Sequence, residues 1–144
     1  MRIMLANQYL QPVADLLAAT PLRAAQSRAR SKLLTLVKQA LARFGEDEYE
    51  LVAEYAARDE NGAPLLDSDG TFRLADPEKA GEFMTARTRL LESLAEVSGP
   101  TYDTHLVDLK ALLDGYDGEL SGEAAEAYDV LYDAIEAASG KEQQ

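Results

Sequence analysis

Apolar residues recurring at intervals of three and four between Leu22 and Phe44 constrain this chain more than any other feature. Leu22, Ala25, Ala29, Leu33, Leu36, Val37, Ala40, Leu41 and Phe44 fall on one side of a 3.6-residue repeat, the pattern of a helix that buries one face. Arg23, Arg28, Arg30, Lys32, Lys38 and Arg43 fill much of the remainder. After Gly45 the period resumes through Glu48, Leu51, Val52 and Tyr55. A glycine inside a helix costs about 1 kcal/mol, too little to decide between one long helix weakened at Gly45 and two helices broken there. Thr20-Pro21 reads as the cap and first residue of this segment.

Other elements follow from the same signals. Pro12 suits the first turn of a short helix from Pro12 to Ala19, with Leu16 and Leu17 as its apolar contribution. Residues 59–76 hold two turn signals, Asp59-Glu60-Asn61-Gly62 and Asp67-Ser68-Asp69-Gly70. Pro64-Leu65-Leu66 and Thr71-Phe72-Arg73-Leu74 flank the second turn and suggest a short hairpin. Asp76-Pro77 opens a further helix, whose expected buried face is Phe83, Ala86, Leu90, Leu91, Leu94 and Val97, and Ser98-Gly99-Pro100 ends it. Another helix is expected from about Thr104 to Asp114, with Leu106, Leu109, Leu112 and Leu113 inward and Gly115 as its stop. The last begins at Ser121 or Gly122 and carries Ala124, Tyr128, Leu131, Ile135 and Ala138 as a stripe. The expected fold class is mainly α: a single domain of about five helices over residues 1–140, with a short β-hairpin or turn-rich insertion near residues 59–76 and a flexible polar tail at 141–144.

A length of 144 residues suits one domain. The chain has no cysteine, which removes disulfides, thiolate metal sites and thiol catalysis. No apolar run approaches the roughly 20 residues that cross a bilayer, and Asn7 and Gln8 arrive too early for a secretory signal. These features predict a soluble, cytoplasmic protein with no membrane partner. The net charge of −12 is uneven. Residues 1–44 carry +6, residues 45–99 carry −9 and residues 100–144 carry −9. Such polarity implies either internal complementarity or two differently charged surfaces.

Catalytic constellations find little support. Aligning Gly70 with the sixth position of an EF-hand loop puts Leu65 first and Asp76 twelfth. An apolar first ligand and a short twelfth carboxylate do not make a calcium loop, so a plain turn is expected. His105 is the only histidine and lacks both a nucleophile elbow and companion ligands; a partly exposed position at a helix start is expected for it. No phosphate-cradling glycine loop occurs, and 26 acids make carboxylate pairs too common to be specific. No catalytic residue, metal site or cofactor is assigned.

Two charged features remain. Arg23, Arg28, Arg30 and Lys32 form a basic patch that could neutralise phosphates. Its alternative is a solvated face, or one paired with the acidic helices, and the overall negative charge disfavours direct nucleic-acid binding. Glu119, Glu123, Glu126, Asp129, Asp133 and Glu136, with Asp117 just upstream, form a carboxylate ridge. The last four are spaced three, four and three and are expected to line one side of a helix next to its apolar stripe. Like charges so placed destabilise a helix by a few tenths of a kcal/mol per pair, so solubility or partner recognition must account for them.

Several short segments carry a family likeness. Asn7-Gln8-Tyr9-Leu10 leads to a Pro21-Leu22 helix entry and a long charged helix. Glu54-Tyr55, Asp59-Glu60-Asn61-Gly62, Asp67-Ser68-Asp69-Gly70-Thr71-Phe72-Arg73, Glu82-Phe83 and Leu120-Ser121-Gly122-Glu123-Ala124-Ala125-Glu126-Ala127-Tyr128 follow in order. This layout resembles a family of small uncharacterised bacteriophage and prophage proteins, of the domain of unknown function 1617 type. The resemblance implies a phage or mobile-element origin, in the cytoplasm of a bacterial host, and assigns no activity. With the acidic ridge it leads to the expectation of a non-enzymatic interaction protein that binds a basic host or phage protein. Inhibition of a nucleic-acid-binding or defence protein by anti-CRISPR-like mimicry is the leading form. A phage structural or assembly component, tail-associated or chaperone-like, is the alternative, and a small enzyme is the least supported.

Overall fold

The structure, a computed structural model, describes residues 1–20, 24–99, 102, 104–116 and 118–142, with backbone alone at residues 25, 141 and 142. Its described elements are strand β1 (Arg2–Ala6), helices α1 (Asn7–Ala19) and α2 (Ala24–Tyr55), a 3-10 turn (Pro77–Lys79), helix α3 (Ala80–Glu92), strand β2 (Leu94–Ser98), and helices α4 (His105–Asp114) and α5 (Gly122–Glu142). The mainly helical class is what the periodicity predicts. The chain divides into two compact units, one of Met1–Leu41 with Leu94–Gln144 and one of Ala42–Ser93.

In the first unit β1 and β2 pair antiparallel, with Ile3 opposite Val97 and Leu5 opposite Ala95. Alternation sends Ile3, Leu5 and Val97 inward, where each is essentially inaccessible to solvent. β1 packs on α5 and α1, and both α1 and α4 pack on α5. The core they enclose includes Leu10, Val13, Leu17, Leu33, Val37, Leu109, Leu131 and Ile135.

This arrangement corrects two sequence expectations. The helix expected to run from Asp76 through Val97 ends at Glu92, and Leu94–Ser98 is a strand. Leu94 and Val97 therefore point opposite ways: Leu94 is 64% exposed and Val97 fully buried. Upstream, α1 begins at Asn7 rather than Pro12, so Pro12 lies in the helix interior. It lacks an N–H there and leaves the Gln8 carbonyl without the usual helical donor; burial of the ring offsets this.

Helix α2 runs unbroken through Gly45. Ala29, Leu33, Leu36, Val37 and Ala40 bury the face that the spacing defines. The expected Thr20-Pro21 entry and Leu22 fall on or beside residues outside those described; Thr20 itself closes α1.

The second unit contains the turn-rich insertion. Isolated bridges join Ala56 to Leu74, Arg58 to Pro64 and Leu66 to Phe72, so the insertion is folded by pairwise bridges rather than by a regular hairpin. Gly62 and Gly70 both stand at φ +83°, the left-handed backbone that glycine adopts without strain. The Asp59 carboxylate accepts from the Asn61 and Ala63 amides. Asp67 and Asp69 accept from the Thr71 hydroxyl, so the carboxylates tested as calcium ligands bond within their own turn. Phe83 on α3 is buried and meets Tyr55 and Phe72 edge-on at centroid distances of 5.6 and 5.1 Å.

Candidate functional site

The acidic ridge is laid out as its spacing requires. Glu123, Glu126, Asp129, Asp133 and Glu136 are all exposed on α5. Ala127, Leu131, Ile135 and Ala138 form the buried stripe of the same helix. By helical periodicity Glu126, Asp129, Asp133 and Glu136 share the side away from that stripe, not the flank next to it that the sequence suggests. None of the five carboxylates is ion-paired with a basic side chain among the described residues. Glu119 is exposed in the segment before α5, and Asp117 lies outside the described residues.

Within the basic patch, Arg30 is committed to the fold. Arg30 is half-buried, and its Nη1 donates to the carbonyls of Leu17 at 3.0 Å and Thr20 at 3.3 Å. It therefore closes the carboxyl-terminal end of α1, where the last turn holds no basic residue of its own. Arg28 is exposed and Lys32 half-exposed, while Arg23 lies outside the described residues. His105 corrects a further expectation. It is 7% exposed, with its ring edge-on to Tyr102 at 5.2 Å. The apolar positions Leu106 and Leu109 beside it are buried too, while Val107 in the same turn is exposed.

Sequence reasoning missed a tyrosine group where α4 leads into α5. Tyr116 and Tyr128 have ring centroids 5.8 Å apart, and Tyr128 and Tyr132 are 6.1 Å apart and near-parallel. The Tyr128 hydroxyl donates to the Leu113 carbonyl. Desolvation, then the charges of Asp114 and Asp129, raise the Tyr128 phenol above its ordinary value. A hydrogen bond to Asp114 is the first cause raising Tyr132, followed by the charges of Asp114 and Glu136. The sequence signal is the i, i+4 spacing of Tyr128 and Tyr132, which membership of Tyr128 in the apolar stripe masks.

A separate concavity of about 690 Å³ lies within the second unit, lined by Tyr55, Glu82, Thr85, Arg89, Leu90 and Ser93 among others. The Tyr55 phenol there is raised by desolvation and by its hydrogen bond to Glu82. No group of three or more potential metal ligands occurs among the described residues, and no described helix is long and apolar enough to cross a membrane.

Fold and surface together define a mainly helical protein with a two-stranded sheet and a carboxylate-rich helix. Its sequence matches a family model described as a protein of unknown function (DUF1617) over residues 1–142, and the chain belongs to that family. No curated protein and no solved structure matches it.

Proposed function

We propose that this chain is a non-enzymatic interaction protein of phage or prophage origin. It acts in the host cytoplasm by binding and inhibiting a basic nucleic-acid-binding or defence protein. The observation that supports this reading is the set of exposed carboxylates on α5, unpaired with any described basic side chain. Carboxylates spaced along a rigid helix occupy a basic groove much as phosphates do, and the attraction is long-ranged at low salt. Direct nucleic-acid binding is disfavoured by the net charge of −12 and by the use of Arg30 inside the fold. Combined reversal at Glu126, Asp129 and Asp133 to lysine tests the reading. Capture of a basic partner from host lysate should be lost with the triple variant and weakened by salt; capture that survives the reversals refutes acidic mimicry.

A virion or assembly role is the second reading. Leu65, Leu66 and Met84, 50%, 45% and 55% exposed within the second unit, favour an apolar contact. That reading requires association indifferent to salt, which sedimentation at two salt concentrations distinguishes.

A further inference from the structure

The tyrosines at the α4–α5 junction form a fixed set of ring faces beside the acidic ridge. Tyr116, Tyr128 and Tyr132 are each half-buried. The Tyr128 hydroxyl donates to the Leu113 carbonyl, and Asp114 is the neighbour that acts most strongly on the Tyr132 phenol. The third is hemmed by Gly118, where a Cβ would fall 2.6 Å from the Tyr116 hydroxyl. By helical periodicity Tyr128 and Tyr132 stand on the flank of α5 between its buried stripe and its carboxylates. Every charge that perturbs their phenols is negative: Asp114, Asp129 and Glu136. Lys110, one turn before Asp114 on α4, is half-buried and makes no ion pair with it among the described residues.

An aromatic face carries negative potential, so rings edged by carboxylates attract a cation through both the quadrupole and the full charge. A guanidinium suits such a place better than an ammonium. It is planar, stacks on a ring, and can reach a neighbouring carboxylate with its N–H fork at the same time. We infer that Tyr116, Tyr128 and Tyr132, with Asp114, form the anchor that receives an arginine side chain of a basic protein partner. The inference rests on the acidic interaction reading above and deepens it, because the carboxylates alone attract any cation whereas the rings select arginine.

The full chain contains seven tyrosines and no tryptophan, so tyrosine emission can be read without tryptophan, and the part of its change lost in Tyr132→Leu and Tyr116→Leu reports on this surface. A short oligo-arginine peptide and an oligo-lysine peptide of equal length serve as probes. The arginine peptide should bind more tightly. Tyr132→Leu and Tyr116→Leu should each weaken its binding by about threefold to tenfold, the range of a partly desolvated cation–π contact. Tyr132→Phe, which keeps the ring, should retain most of the preference for arginine. Helical circular dichroism checks that each variant is folded, and Tyr116→Leu carries the test if Tyr132→Leu is not. Arginine binding unchanged in the leucine variants but lost on reversal of Glu126, Asp129 and Asp133 overturns the anchor while sparing the acidic face. Binding unaffected by any of these changes overturns both. Equal affinity for the two peptides, or tighter binding of a single-stranded oligothymidine through base stacking, also overturns the anchor.

Discussion

Arg30 commits its guanidinium to the carbonyls of Leu17 and Thr20, leaving its buried Nε without a partner among the described residues. Removing it strands two acceptors at the end of α1. Arg30→Ala should therefore destabilise the protein by about 1–3 kcal/mol, whereas Arg28→Ala, at an exposed position, should stay within about 0.5 kcal/mol. Chemical denaturation of the two variants checks the difference, and equal effects would refute the capping role. Tyr128 and Tyr132 carry a second residue-scale prediction. Both phenols are raised above 10.0 in the folded chain. Between the unfolded and folded values the native state holds more protons, so their contribution is fully present below about pH 10 and is lost as pH rises through the folded values. Denaturation between about pH 8 and about pH 11 should show that decline, and Tyr132→Phe should make it shallower. A decline equally steep in the phenylalanine variant would remove Tyr132 from the account.

At the scale of elements, Gly45 is a simple case. It lies in the interior of α2, is exposed, and offers open space to a Cβ. Gly45→Ala should stabilise the protein by about 0.5–1 kcal/mol by lowering the entropy of the unfolded chain and raising helix propensity; a lower thermal midpoint for the variant would contradict this. The long helix was legible because Ala29, Leu33, Leu36, Val37 and Ala40 repeat over several turns. α4 and α5 were legible in the same way, through Leu106, Leu109, Leu112 and Leu113 and through Leu131, Ile135 and Ala138. The sheet was not. Leu90, Leu91, Leu94 and Val97 continue a helical spacing, and five residues are too few for alternation to displace it. What makes Leu94–Ser98 a strand is its pairing with Arg2–Ala6, distant in the chain and invisible to any local pattern. Of the candidate site, the carboxylates of α5 were legible from spacing alone. Arg30's capping role and the union of Tyr116 with Tyr128 were not, because each depends on where a second element ends.

For the whole molecule, the two units differ in how much apolar surface holds them. The largest fully buried side chains, from Ile3 to Val97 and Ile135, all belong to the first unit, while the second buries only Ala56 and Phe83 to a comparable degree among the described residues. Local opening follows buried apolar contact, so the amides of α3 should exchange with solvent sooner than those of α1 and α5. Equal protection across the three helices would contradict that ranking. Charge acts on the molecule as a whole in a different way. The ion pair of Arg2 with Glu96 at 3.0 Å has both side chains exposed, and such pairs contribute at most about 1 kcal/mol. At a net charge of −12, the surplus acids repel one another across the folded surface. Salt shortens the reach of that repulsion, from about 30 Å at 0.01 M to about 8 Å at 0.15 M. Stability should consequently rise over this range, while affinity for a basic partner falls because the same carboxylates supply the attraction. Opposite salt slopes for the thermal midpoint and for partner affinity are the expected result. Replacing Glu126, Asp129 and Asp133 by lysine should flatten both slopes together; flattening of the stability slope alone would show that these carboxylates burden the fold without contributing to recognition.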